Sequence, residues 1–183
     1  MTVVRQTALD RELSEFLERY AALYNRQAYA ELLEMWDTGD PEVFYMAEEV
    51  DSPMYGWPAI KAYFDRPGSL EGIRNEYSDI RARYLAPDLA LATYRLRFDL
   101  AVKDMKPLSS FDRIVAVFRR CNGEWKLASY AEAPQAPLTM VRKLAKNSKT
   151  LGPAEQKALL KTVQTLLEDT VPADFIQWLK KGS

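Results

Sequence analysis

The chain contains no histidine and a single cysteine, Cys121. The missing histidine removes the side chain that titrates nearest neutral pH, and with it Ser-His-Asp, Cys-His and the common zinc sites. One cysteine excludes an internal disulfide and any cysteine-cluster metal site. Only carboxylates remain as ligands for a hard ion, so no catalytic metal is expected. Acid–base chemistry falls to carboxylates, tyrosine, lysine, arginine or water. Charge of one sign is also lacking: 25 basic against 26 acidic residues give a net charge of -1. Such a balance leaves no electrostatic footprint for nucleic acid or an anionic membrane. No apolar run approaches the ~18 residues of a membrane helix. The first residues, MTVVRQTALDRELSEF, lack the apolar stretch of a signal peptide, which leads us to expect a cytoplasmic protein.

What is present is a substantial apolar fraction, 48% of 183 residues, enough for one domain with a sizeable core. Leu13, Phe16, Leu17, Tyr20, Leu23 and Tyr24 recur at three- and four-residue spacing and predict a helix over residues 10–27. A second, short helix is expected over 28–36, ended by Thr38-Gly39-Asp40-Pro41. Residues 42–48 read as a strand and 51–56 as a loop. Gly56-Trp57-Pro58 opens a third helix, with proline in the first turn, where a missing N–H costs nothing. Strands then dominate, over 73–86, 88–102, 108–121 and 124–133. Asn122-Gly123 between two β-rich runs is a strong hairpin signal, since both residues tolerate positive φ. Helices followed by a meander make an α+β fold. Beyond Ala133-Pro134-Gln135-Ala136-Pro137, Leu159, Leu160, Val163, Leu166 and Leu167 form an amphipathic stripe, and Phe175, Ile176 and Leu179 suggest a last short helix. The expected division is a domain over 1–137 and a helical extension over 138–183, serving as a lid, a dimer clasp or both.

The long first helix, the Gly56-led helix, the strand Asp88–Phe98 and the Asn-Gly hairpin together resemble the SnoaL-like branch of the NTF2-like superfamily, over roughly residues 9–134. Its members include ketosteroid isomerase, scytalone dehydratase and limonene epoxide hydrolase. The resemblance implies a cone: a curled sheet closed on one side by three helices, with a pocket inside. It also implies a homodimer through sheet faces.

Within Arg19-Tyr20-Ala-Ala-Leu-Tyr24-Asn25, Tyr20 falls where the isomerase has the tyrosine that donates to the substrate oxygen. It is either that donor or a core phenol at the pocket edge. Phe44, Met46 and Glu48 share a parity, and Glu48 matches the isomerase's general base, with Glu49 or Asp51 as alternatives. Burial among apolar groups would raise such a carboxylate's pKa toward neutrality, as a base for C–H abstraction requires. The isomerase's second acid falls on Ala116 and is absent, so steroid isomerisation does not carry over. The histidines of scytalone dehydratase are missing, and Ala131 stands where many SnoaL-like proteins have one. Asp112-Arg113 and Arg95-Arg97-Asp99 offer parts of the epoxide hydrolase array without its spacing.

Ala92, Tyr94, Leu96, Phe98 and Leu100 should line the cavity, leaving Thr93, Arg95, Arg97 and Asp99 on the outer face. Arg113 shares a parity with Phe111, Val115 and Val117, which makes it an inward arginine, either in an ion pair or holding a substrate oxygen. Asp112, Arg113 and Glu132 sit on the two adjacent strands of the hairpin. Arg119-Arg120 reads as a solvated charge pair. Glu48, Tyr20 and Arg113 are thus the catalytic candidates. Tyr24, Trp57, Tyr94, Phe98 and Asp112 are the substrate-binding ones. Two functions fit: a cofactor-independent lyase, dehydratase or isomerase acting on an apolar, aromatic small molecule, or a non-enzymatic binding or dimerising module. The superfamily's lyases of lignin-derived diarylpropanes suggest one substrate class.

Overall fold

A computed structural model describes residues 7–48, 50–65, 70–104 and 108–134, together with 152–155, 157, 158 and 161. The chain divides into two compact units, Met1–Gln135 and Ala136–Ser183. In the second unit residues 153–155, 157, 158 and 161 are helical and exposed. The two apolar stripes expected there lie outside the described residues.

In the first unit, helix α1 spans Ala8–Asn25. Its N-terminus is a capping box: the Asp10 amide donates to Thr7 Oγ1 at 3.0 Å and the Thr7 amide to Asp10 Oδ2 at 2.7 Å. The other oxygen of Asp10 accepts from the Ala82 amide at 2.8 Å, so one buried carboxylate both starts the helix and ties it to the sheet. Leu9, Leu13, Phe16, Leu17 and Tyr20 form the buried stripe, as the spacing predicts. Helix α2 covers Tyr29–Leu33 and α3 covers Trp57–Phe64, entered through Gly56 at φ 76° with Pro58 in the first turn.

The strands are β1 (Phe44–Met46), β2 (Met54–Tyr55), β3 (Leu70–Ala86), β4 (Leu89–Val102), β5 (Leu108–Cys121) and β6 (Glu124–Pro134). They form one sheet in the order β2-β1-β6-β5-β4-β3, antiparallel throughout except for β1 beside β6. This is the NTF2-like α+β cone. β2 lies in the segment expected to be loop; Phe44 and Tyr45 pair with Tyr55 and Met54. The β5–β6 turn holds Asn122 at φ 52° and Gly123 at φ 87°, the doubly left-handed geometry that an Asn-Gly hairpin adopts.

Two irregularities decide which side chains face inward. On β6, Leu127 opposes Phe118 and Ser129 opposes Val117, so Ala128 is an extra residue and the alternation reverses there. Trp125 and Leu127 face the core before the bulge; Tyr130 faces it after. On β3, Ser78 opposes Arg95 and Arg81 opposes Thr93, with Asp79 at φ 55° in between. Asn75 and Tyr77 face the cone interior before this bulge, and Ile80 and Ala82 pack on the core after it.

Among the described residues no helix is long and apolar enough to cross a membrane. Arg119 and Arg120, expected to be solvated, are paired instead. Arg119 bridges Asp37 and Asp40 at 3.1 and 2.9 Å. Arg120 pairs with Glu12 and lies 4.4 Å above the Trp125 ring, whose Nε1 donates to the same carboxylate at 2.9 Å.

Candidate functional site

Inside the cone lies a cavity of about 270 Å³, bounded by α1, the end of β1, α3 and the inner faces of β3, β4 and β6. Its lining is dominated by phenols: Tyr20, Tyr24, Tyr45, Tyr63, Tyr77 and Tyr130. Ile73, Leu96, Phe98 and Leu100 supply the apolar wall, and Glu48, Glu132 and Asn75 the other polar groups. The phenol rings touch one another. Tyr45 meets Tyr130 edge-on at 5.4 Å between centroids and Tyr63 at 5.3 Å, while Tyr77 meets Tyr94 at 5.5 Å.

Glu132 is fixed from two directions. Tyr45 Oη donates to Oε1 at 3.0 Å, and the Glu48 amide donates to Oε2 at 3.0 Å. Both donors come from β1 and the turn that follows it, which the parallel pairing of β1 with β6 sets beside Glu132. A hydrogen bond to a carboxylate stabilises its charged form.

Burial pushes the phenols of Tyr20, Tyr24, Tyr45, Tyr77, Tyr94 and Tyr130 above the ordinary tyrosine range, and the charge of Glu132 adds to the push on all six. Bonds from Tyr130 and Asn75 offset part of it at Tyr77. The phenols therefore stay neutral at physiological pH and serve as hydrogen-bond donors. The arrangement offers one anchored carboxylate able to take a proton, surrounded by donors able to stabilise an oxygen that gains charge.

The sequence candidates fall as follows. Tyr20, Tyr24 and Phe98 line the cavity. Tyr94 is buried directly behind the lining, against Tyr77 and Tyr130. Glu48 is exposed and lies at the cavity's rim, in the turn after β1; its backbone, rather than its carboxylate, is what engages Glu132. The parity expected to carry Glu48 inward is reversed, because Val43, Tyr45 and Ala47 are the buried residues and Phe44 is only half-buried against Tyr55. Asp112 faces inward and is 1% exposed, but it lies outside the cavity lining. Trp57 is half-buried at the start of α3, also outside the lining.

Arg113 is a correction. Phe111 and Val115, its parity partners, are 41% and 46% exposed, so this face of β5 is the outer one. Arg113 points with them and donates to the carbonyls of Ala133 and Pro134. Apolar side chains on both faces of β5 made the inward parity ambiguous. Sequence reasoning passed over Tyr45, Tyr63, Asn75, Tyr77, Tyr130 and Glu132 as site residues. Tyr63 comes from α3, and the β1–β6 pairing and the two bulges bring the others together. Among the described residues no cluster of three or more cysteine or acidic side chains is placed to hold a metal ion.

Fold and cavity together define a cone-shaped α+β domain with a tyrosine-lined interior. The sequence matches the family model of the SnoaL-like domain over residues 13–136, and the chain belongs to that family. No curated protein matches it. Solved structures share the fold at low identity. One is a candidate scytalone dehydratase from Novosphingobium aromaticivorans, with a TM-score of 0.61 and 11% identity over 69% of this chain and 83% of that one. A second is an NTF2-like superfamily protein from Salmonella enterica, with a TM-score of 0.60 and 14% identity over 69% and 91%. A third, from Xanthomonas campestris, is described as a candidate calcium/calmodulin-dependent protein kinase II association domain. It has a TM-score of 0.59 and 15% identity over 74% and 97%.

Proposed function

We propose that this protein is a cofactor-independent lyase, dehydratase or isomerase that abstracts a proton from an apolar, aromatic small molecule. The observation that carries this reading is the anchored carboxylate of Glu132 in a cavity walled by neutral phenols. Glu132 takes a proton from a carbon beside an oxygen function. The electron pair moves onto that oxygen, where a phenol, Tyr20 by preference, stabilises the charge. The cycle closes when the proton returns at another carbon, or when the pair forms a C=C bond as a leaving group departs with its own bonding electrons and takes the proton from Glu132. The Glu48 carboxylate, at the rim, meets substrate on its way in. At about 270 Å³ the cavity sits just under the roughly 300–1,000 Å³ of drug-sized ligand sites, which favours a substrate of one or two rings.

An aryl ketone with acidic C–H bonds, 2-tetralone, tests the chemistry without knowledge of the natural substrate. In deuterium oxide the protein should accelerate exchange of its α-protons, followed by NMR. Glu132→Gln keeps shape but removes the base, and should cut that acceleration by roughly 10²–10⁴-fold. If the wild-type protein fails to accelerate exchange while still binding the ketone, the domain is a binding module rather than an enzyme of this kind.

A second copy of the chain is the expected partner. The outer face of β4 and β5 presents exposed Phe111 and Val115, with the guanidinium groups of Arg95 and Arg97 at 5.6 and 6.0 Å from the Phe111 ring. Such a face suits a homodimer through sheet packing.

A further inference from the structure

We infer that Trp36 is a positioning residue: its indole N–H turns the Tyr20 hydroxyl toward the cavity, which assigns the site a ligand that presents an acceptor oxygen, such as a carbonyl, to that hydroxyl. The inference rests on the preceding reading in taking Tyr20 as the donor to the ligand oxygen. Trp36 is 1% exposed and stands behind the cavity lining. Its Nε1 is fully buried, and no described acceptor meets it at normal hydrogen-bond geometry. Indole N–H groups in such places nearly always act on an acceptor. Here that acceptor is the Tyr20 hydroxyl, whose pKa the indole pulls down against the larger upward push of burial.

The main chain fixes the indole independently of any ligand. Residues 35–37 are stitched to β6: Trp36 forms a parallel bridge with Leu127, the Leu127 amide donates to the Met35 carbonyl at 2.9 Å, and the Asp37 amide donates to the Leu127 carbonyl at 2.8 Å. The Trp36 ring then packs on Tyr45 and Tyr130, with centroids 5.8 and 6.4 Å away. Tyr20 reaches the same cluster from α1. Its ring stacks on Phe16 at 6.3 Å and on Tyr130 at 6.5 Å, and it lines the cavity.

An indole can only donate, whereas a phenol donates one proton and also accepts. Toward Trp36, therefore, the Tyr20 oxygen can only accept, and its own proton is turned away from the indole. Tyr45 is the phenol that donates to Glu132; no described residue accepts the proton of Tyr20. That proton is left for a ligand in the cavity. Once a ligand oxygen takes it, the Tyr20 oxygen becomes a stronger acceptor and the contact with Trp36 tightens, because hydrogen bonds in a chain polarise one another. Trp36 thus supports charge on a ligand oxygen without touching the ligand. A ligand with no acceptor oxygen gains nothing from this pair.

The test follows the Trp36 Nε1–H signal by NMR in the full chain. 2-Tetralone, which carries a carbonyl, should move the signal downfield, whereas tetralin, the same skeleton without oxygen, should leave it in place. Tyr20→Phe keeps the ring and loses the hydroxyl. In the free protein it should move the signal upfield, and it should abolish the response to 2-tetralone. By calorimetry, Trp36→Phe should weaken 2-tetralone by about threefold, the low end of coupling between touching residues, and should cause no further loss in a Tyr20→Phe background. A Trp36 signal indifferent to Tyr20→Phe overturns the inference whether or not any ketone binds. So does an equal response to tetralin, or an equal loss of affinity from Trp36→Phe in both backgrounds, which marks an indole that only fills space. Should Trp36→Phe fail to fold, the Tyr20→Phe signals and the two ligands decide. Proton exchange is not needed: a protein that shows these signals without accelerating exchange keeps the Trp36 assignment and loses the catalytic reading.

Discussion

Tyr45 donates a hydrogen bond to Glu132 inside the cone, and their chemistry is linked. Tyr45→Phe loosens the carboxylate and should slow exchange. It should also cost about 1.5–3 kcal/mol of stability, since the lost bond has a charged acceptor. Exchange followed by NMR and a denaturant melt read the two effects separately, and unchanged exchange would show that the bond is structural only. Tyr20→Phe separates catalyst from core phenol. A drop in exchange of roughly 10²–10³-fold marks an oxyanion donor. A loss of only about 0.5–1.5 kcal/mol in stability, with exchange intact, marks a packed phenol.

At the scale of elements, α1 depends on Asp10. Desolvation pushes its carboxyl up, but the bonds from Thr7 and Ala82, with the charge of Arg81, outweigh that and hold it below the ordinary aspartate range. A depressed folded pKa means stability that is present above the unfolded value, about 3.9, and is lost as pH falls through the folded one. The melting temperature should thus begin to fall below about pH 4, and Asp10→Asn should blunt that fall. Thr7→Ala removes the other half of the capping box and should cost about 1 kcal/mol at neutral pH. A denaturation midpoint unchanged by Thr7→Ala would mean that the sheet bond to Ala82 alone sets the helix start. The Asn122-Gly123 turn was fully legible beforehand because its signal is local. The parity of β5 was not, because Phe111 and Val115 are apolar yet face outward.

For the whole molecule, the buried phenols make alkaline behaviour diagnostic. Tyr20, Tyr24, Tyr45, Tyr77, Tyr94 and Tyr130 carry pKa values raised in the fold. Their contribution is complete below the unfolded value near 10 and is lost as pH rises toward the folded values. The phenolate absorbance of these buried groups should therefore appear together with unfolding above about pH 10, as one cooperative step. A separate titration of these groups in a folded protein would contradict their burial. At the outer face, Val115→Glu places a carboxylate in the apolar patch. The wild type should sediment as a dimer and the variant as a monomer; a monomeric wild type removes the homodimer from consideration.

Local chemistry determined the helices, the hairpin and the inward set of β4, from Ala92 to Phe98, because each depends on spacing along one segment. Composition determined that any acid–base chemistry falls to carboxylates, tyrosine, lysine, arginine or water, since no histidine exists. The tertiary structure decided which of these line the cavity. Without the extra residue at Ala128, the alternation begun by Trp125 and Leu127 would have sent Tyr130 and Glu132 outward. Without the irregularity after Ser78, Asn75 and Tyr77 would share their face with Asp79 and Arg81 instead of leading to Ile80 and Ala82. A bulge inserts one residue against a partner strand, so it exists only once two strands are paired. The parallel pairing of β1 with β6 is equally non-local, and it alone brings the Tyr45 hydroxyl and the Glu48 amide to the carboxylate of Glu132.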